Sequence, residues 1–116
     1  MIALLSGCGG GSDPTLPTLV PVTGVVLQQG QPLTGAIVTF EPLAGSLSSG
    51  ATNEEGRFEL QYSADLLGAV PGMHTVRISK MNGEAGDELI PRKFNEKSQI
   101  QREVTAEATN EFQFEI

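Results

Sequence analysis

The chain has 116 residues, a net charge of −7 and a pI near 4.5, with a single Cys, five Phe, one Tyr and no Trp. That length holds one domain, and one Cys excludes an intramolecular disulfide. The seven Lys and Arg are scattered over residues 57–102, so the acidic chain lacks the basic stripe a nucleic-acid partner requires. With 14 Gly and 7 Pro, the composition favours many short elements joined by tight turns over long helices.

The N-terminus opens with Met1-Ile2-Ala3-Leu4-Leu5, a short apolar stretch, followed by Ser6-Gly7-Cys8. Leu5, Ser6, Gly7 and Cys8 together read as a lipobox, the cleave-and-lipidate signal of bacterial lipoproteins. Residues 1–8 carry no basic start, so they are expected to be the end of a longer leader whose start lies upstream. Cleavage would leave Cys8 as the first residue, acylated and inserted in a membrane. Multiple acyl chains anchor stably, because each buried CH₂ contributes about 0.8 kcal/mol. Gly9 in the second mature position, in place of Asp, favours the outer membrane by analogy with sorting in double-membraned bacteria. Residues 9–20 show no periodicity and are dominated by Gly, Ser, Pro and Thr, which reads as a disordered, flexible tether.

From residue 21 the pattern changes to short β-segments. Val22-Thr23-Gly24-Val25-Val26-Leu27 is β-branched and predicts a strand. Gln28-Gln29-Gly30-Gln31-Pro32 is turn chemistry. In the next segment Ala36, Val38 and Phe40 share a face by the two-residue period. Asn53-Glu54-Glu55-Gly56 predicts a tight turn into Arg57-Phe58-Glu59-Leu60-Gln61-Tyr62, with Phe58 and Leu60 inward. Ser63 has the chemistry to cap a short helical turn around Ala64-Asp65-Leu66-Leu67. Pro71-Gly72 is a turn, and His74, Val76 and Ile78 face inward on the strand that follows. Residues 81–100 read as a long polar connection broken by Gly83, Gly86 and Pro91. A strand is expected over residues 102–106. Asn110-Glu111-Phe112-Gln113-Phe114-Glu115-Ile116 is the clearest alternation, with Phe112, Phe114 and Ile116 inward. Gly30, Gly35, Gly56 and Gly72 fall where turns need positive φ or close backbone approach. Six or seven short strands with turns between them predict an all-β antiparallel sandwich.

Chemistry is sparse. His74 is the only histidine, which excludes two-histidine metal motifs, and it reads as a structural inward residue. Glu54-Glu55 and Asp87-Glu88 lack the spaced oxygen ligands of a calcium loop and read as solvated turn charges. No carboxylate pair stands out for glycoside hydrolysis. Lys93, Phe94 and Asn95 form a candidate contact loop, an aromatic beside a charge in a loop. The alternative is that Phe94 folds back and pins the loop onto the sandwich.

Gly24-Val25-Val26 and Gly30-Gln31-Pro32-Leu33-Thr34-Gly35-Ala36-Ile37-Val38 resemble the opening hairpin of carboxypeptidase regulatory-like domains. Thr52-Asn53-Glu54-Glu55-Gly56-Arg57-Phe58 and Val70-Pro71-Gly72-Met73-His74-Thr75-Val76 resemble two further motifs of that family, in the same order. Asn53 and Val70 stand where Asp and Leu are commoner. Leu89-Ile90-Pro91-Arg92-Lys93-Phe94-Asn95 and Asn110-Glu111-Phe112-Gln113-Phe114 resemble segments of small bacterial lipoproteins carrying this domain. The resemblance implies a transthyretin-like (prealbumin-like) seven-stranded antiparallel Greek-key sandwich over residues 21–116, and no enzymatic activity. The hydrolase that shares this fold uses several His and Arg and a C-terminal Tyr-Arg-Gly-Ser. This chain has one His and closes with Phe-Gln-Phe-Glu-Ile. The Lys–Asn isopeptide bond of related surface domains is not expected, because residues 22–27 contain no Lys.

These readings converge on a lipid-anchored, non-catalytic cell-envelope module without metal or cofactor. It would be held to the membrane through Cys8 and would contact an envelope protein or polymer. The alternatives are a dimeric small-ligand carrier of transthyretin type and, least favoured, an envelope enzyme.

Overall fold

The computed structural model describes residues 18–82, 87–107 and 109–116. The lipobox with Cys8, most of the tether, and Gly83 and Gly86 lie outside the described residues. Twelve short strands appear among those described: β1 (Val22–Gln28), β2 (Gln31–Pro32), β3 (Ile37–Pro42), β4 (Ser48–Ala51), β5 (Arg57–Glu59), β6 (Gln61–Ser63), β7 (Leu66–Leu67), β8 (Gly72–Ser79), β9 (Met81–Asn82), β10 (Asp87–Glu88), β11 (Gln101–Val104) and β12 (Asn110–Glu115). They form a six-stranded sheet in the order β11-β8-β3-β4-β6-β7, a four-stranded sheet in which β1 pairs with β12, β2 and β5, and a separate β9-β10 hairpin. The protein is an all-β sandwich built mostly of antiparallel pairs.

The alternation read from the sequence decides which face each strand buries. Val38 and Phe40 on β3, Val76 and Ile78 on β8, and Val104 on β11 come from the large sheet. Val22 and Val26 on β1, Phe58 on β5 and Phe114 on β12 meet them from the small one. Phe40 lies at the centre, its ring 5.6 Å from His74 and 5.6 Å from Phe112 between centroids, and 6.2–6.4 Å from Phe114 and Phe58. Aromatic pairs at such separations add about 0.5–1.5 kcal/mol each beyond area burial. His74, expected as an inward structural residue, is 1% exposed.

Three features depart from the sequence-based expectations. First, β12 runs parallel to β1, with Asn110 beside Val22 and Glu115 beside Leu27. The cause is local. Asn110 accepts from the Thr105 amide at 2.9 Å and donates to the Thr105 carbonyl at 2.8 Å. This clasp turns the chain from the end of β11 into β12 at the end of the sandwich where β1 also starts.

Second, residues 57–62 are not one strand. β5 pairs with β1 in the small sheet and β6 with β4 in the large one, so the chain changes sheets across Leu60. Leu60 is fully buried, and its amide donates to the Val22 carbonyl at 3.0 Å. The crossing brings the Glu59 backbone so close to Gly50 that a Cβ there would stand 2.3 Å from the Glu59 carbonyl oxygen.

Third, Ser63 caps no helical turn. Ala64-Asp65 is the turn of a β6–β7 hairpin, with Ser63 opposite Leu66. One helical turn carries the full nucleation cost for a single hydrogen bond. The free edge of β6 offers ladder bonds instead, and Gly68 donates to the Leu60 carbonyl at 2.8 Å.

The four predicted turn glycines, Gly30, Gly35, Gly56 and Gly72, all take positive φ. In the β1–β2 hairpin Gln29 does so as well, at 52° beside 82° for Gly30, as a two-residue type I′ turn demands.

Candidate functional site

The connection predicted over residues 81–100 folds onto β8. It contains the β9–β10 hairpin and a 3₁₀ turn at Arg92–Phe94. Glu88 holds it in place. One carboxylate oxygen accepts from the Ser79 hydroxyl at 2.5 Å and the Asn95 amide nitrogen at 2.7 Å. The other accepts from the backbone amides of Lys80 at 2.8 Å and Ile90 at 3.1 Å. Glu88 is exposed to water, as the sequence implies, but it also carries four hydrogen bonds across the connection. Its partners all lie between residues 79 and 95, and they meet only because the connection folds back on itself. Asn53, by contrast, accepts from the amides of Glu55 and Arg57 within its own turn and leaves Glu54 and Glu55 exposed to water.

Burial opposes ionisation of Glu88, but the bonds from Ser79, Lys80, Ile90 and Asn95 outweigh it and hold its carboxyl below the ordinary value of 4.5. A carboxyl lowered by folding stabilises the native state fully above 4.5, and that contribution disappears as pH falls through the folded value. Melting temperature measured from neutral pH down through the carboxylate range should fall more steeply for wild type than for Glu88→Gln. Parallel curves would show that the clasp does not form in solution.

The candidate contact loop divides. Asn95 ties the loop down: its side chain is bound to Glu88, and its carbonyl accepts from Arg77 at 2.8 Å. Arg77 also pairs with Glu41 at 3.0 Å, so the loop lies against the outer face of the large sheet. Phe94 is half-buried against the core, with the Lys93 ammonium 5.0 Å from its ring centroid. Lys93 itself is exposed.

Phe94 also walls a groove of about 460 Å³ between the edges of the two sheets, with Ile100 and Arg102 on one side and Phe114 and Ile116 on the other. The Arg102 guanidinium lies 5.2 Å from the Phe114 ring centroid. Such a cation–π contact is worth about 0.5–1 kcal/mol at an exposed site. Sequence reading passed over Arg102. The signal was its parity: Arg102 shares a strand face with the buried Val104, so it had to point toward the interior at the mouth of the sandwich.

Beside this groove, β12 pairs only with β1 among the described strands. The Ile116 amide donates to the Leu27 carbonyl, so by alternation the N–H and C=O groups of Glu111, Gln113 and Glu115 point away from β1. Among the described strands none pairs with the outward groups of these three residues, an edge that Glu111 and Glu115 guard. Arg57 reaches Glu111 at 3.7 Å, while Glu115 accepts a hydrogen bond from Gln113 and pairs with no cation among the described residues.

His74 takes no part in this surface. Its Nε2 lies 2.8 Å from the Val70 carbonyl, which can only accept, so that nitrogen carries a proton. Nδ1 is buried against Phe40 with no hydrogen-bond partner among the described residues. Among the described residues no three His, Cys, Asp or Glu side chains converge as a metal site would require. Comparison with protein-family models, with curated proteins and with solved structures finds no match to this chain.

Proposed function

We propose that this protein is a lipid-anchored, non-catalytic module of the bacterial cell envelope that binds an extended segment of a partner protein. The sandwich would be of the transthyretin-like Greek-key type found in carboxypeptidase regulatory-like domains, with Cys8 as its acylated anchor on the outer membrane. The observation that carries the binding role is the open edge of β12 beside the groove of Phe94, Ile100, Arg102, Phe114 and Ile116. Strand addition uses such an edge for affinity, and alternate side chains for specificity. On one face the incoming strand would meet Glu111 and Glu115, on the other Phe112 and Phe114. A segment alternating basic and apolar residues fits both faces. A second copy pairing antiparallel about Gln113 would set Glu111 against Glu115, which like charge disfavours.

Two measurements test the proposal. Radiolabelled palmitate should enter the protein in cells and be lost with Cys8→Ser; labelling that persists removes the anchor. Affinity capture from envelope extracts should recover a partner with wild type and with Lys93→Ala. Gln113→Pro should lose it, because proline deletes one outward N–H and leaves the ladder to β1 intact. Equal recovery from a folded Gln113→Pro protein removes the β12 edge as the contact.

A further inference from the structure

Register places several loops at one end of the sandwich. Val22 and Asn110 begin their parallel strands there. Val104 lies opposite Gly72, and Pro42 opposite His74, at that same end. The described chain also starts there, since Val20 bridges Ala69 just before β1. The loop 43–47, joining β3 to β4, therefore projects from the end at which residues 1–17 attach.

That loop is apolar where a solvent-facing hairpin loop is ordinarily polar. Leu43 is 86% exposed and Leu47 46% exposed, on either side of Ala44-Gly45-Ser46. From residue 42 to residue 53 there is no charged side chain. Leu43 is the most exposed large apolar residue among those described, and nothing in the packing requires it. Isolated exposed leucines are ordinary on a protein surface. Leu67, Met81 and Leu89 are as exposed as Leu47, so it is Leu43, on an uncharged loop beside the point where the chain leaves toward its anchor, that sets this loop apart.

We infer that loop 43–47 is a second membrane contact, with Leu43 and Leu47 entering the headgroup–acyl boundary of the leaflet that holds Cys8. The inference rests on the anchorage proposed above. Nine residues lie between Cys8 and Thr18. Ten Cα–Cα steps span at most about 36 Å. A link of at most that length confines the loop close to the membrane surface and raises its effective concentration there. A contact too weak to recruit the free domain then becomes populated once the domain is tethered. Acyl chains on Cys8 already anchor stably, so the physical use of such a loop is to fix how the domain sits on the leaflet. The domain's acidic charge makes electrically neutral lipid the proper surface for the test.

The chain contains no Trp and one Cys, which supplies both the probe and the attachment. Full-length Leu43→Trp and Gln31→Trp proteins would be coupled through Cys8 to maleimide lipid in phosphatidylcholine vesicles, with and without acyl-chain bromination. Gln31 lies in the hairpin at the opposite end and is exposed, so neither substitution disturbs the core. The expected result is blue-shifted emission and bromine quenching for Leu43→Trp, and neither for Gln31→Trp. Water-like, unquenched emission from coupled Leu43→Trp overturns the inference, as does equal quenching at both positions. Chemical coupling replaces the native acyl chains, so this result stands apart from palmitate labelling, which alone decides the anchorage.

Discussion

Phe40→Ala should lower the stability of the domain by about 3–5 kcal/mol, the usual cost of emptying a buried phenylalanine site. Small domains have about 5–15 kcal/mol in all, and each kcal/mol moves the melting temperature of one this size by about 4–8 °C. The expected drop is therefore on the order of 20 °C, read by circular dichroism. The effect is large because of where the ring lies. It is fully buried and touches His74 on its own sheet and Phe58, Phe112 and Phe114 on the other. Removing it opens a void at the one place where aromatic rings from both sheets meet, and rigid sheets cannot close on it. Phe112→Ala, at a half-buried site on the rim of the same cluster, should cost less. A drop for Phe40→Ala no larger than that for Phe112→Ala would place the centre of the core elsewhere.

Gly56→Val should destabilise by about 3 kcal/mol or more, through two separate causes. Gly56 has a φ of 75°, which costs an L-residue about 1–2 kcal/mol and a β-branched one more. A Cβ there would also stand 2.6 Å from the Val26 carbonyl oxygen and 3.2 Å from Leu33 N and Pro32 Cα. All three are backbone atoms, two in the β1–β2 hairpin and one directly after it, so relief requires moving a strand. Gly30→Ala separates the causes: its φ is 82°, but nothing lies within 4 Å of its Cβ position. That variant should cost only the conformational strain, about 1 kcal/mol. Equal losses in chemical denaturation for Gly56→Ala and Gly30→Ala would show that the close approach to Val26 contributes nothing.

These two positions show how unevenly the fold was legible. Positive φ at Gly56 follows from a tight turn before a β-segment and could be read from Asn53-Glu54-Glu55-Gly56. That Val26 presses on it could not, because the contact joins residues thirty apart. The same holds for the site. Phe94 stood out as an aromatic beside a charge in a loop, and the structure makes it one wall of a groove. The opposite wall, Phe114 and Ile116, had been recognised only as core.

By itself, the sequence determined which residues face inward, where the chain turns and that the architecture is a β-sandwich. The physical reason is that strand alternation and turn chemistry are local, set by two-residue periodicity and by the φ demands of Gly and Pro. It also determined the overall acidity and supplied the Leu5-Ser6-Gly7-Cys8 motif behind the proposed anchor. The tertiary structure decided what depends on partners distant along the chain. It set β12 beside β1, at the opposite end of the described chain, and split residues 57–62 between the sheets at Leu60. It also brought the 43–47 loop to the end of the sandwich from which the N-terminal segment departs. Strand partners are chosen by which edges and ends happen to meet, and no residue's immediate neighbours carry that information.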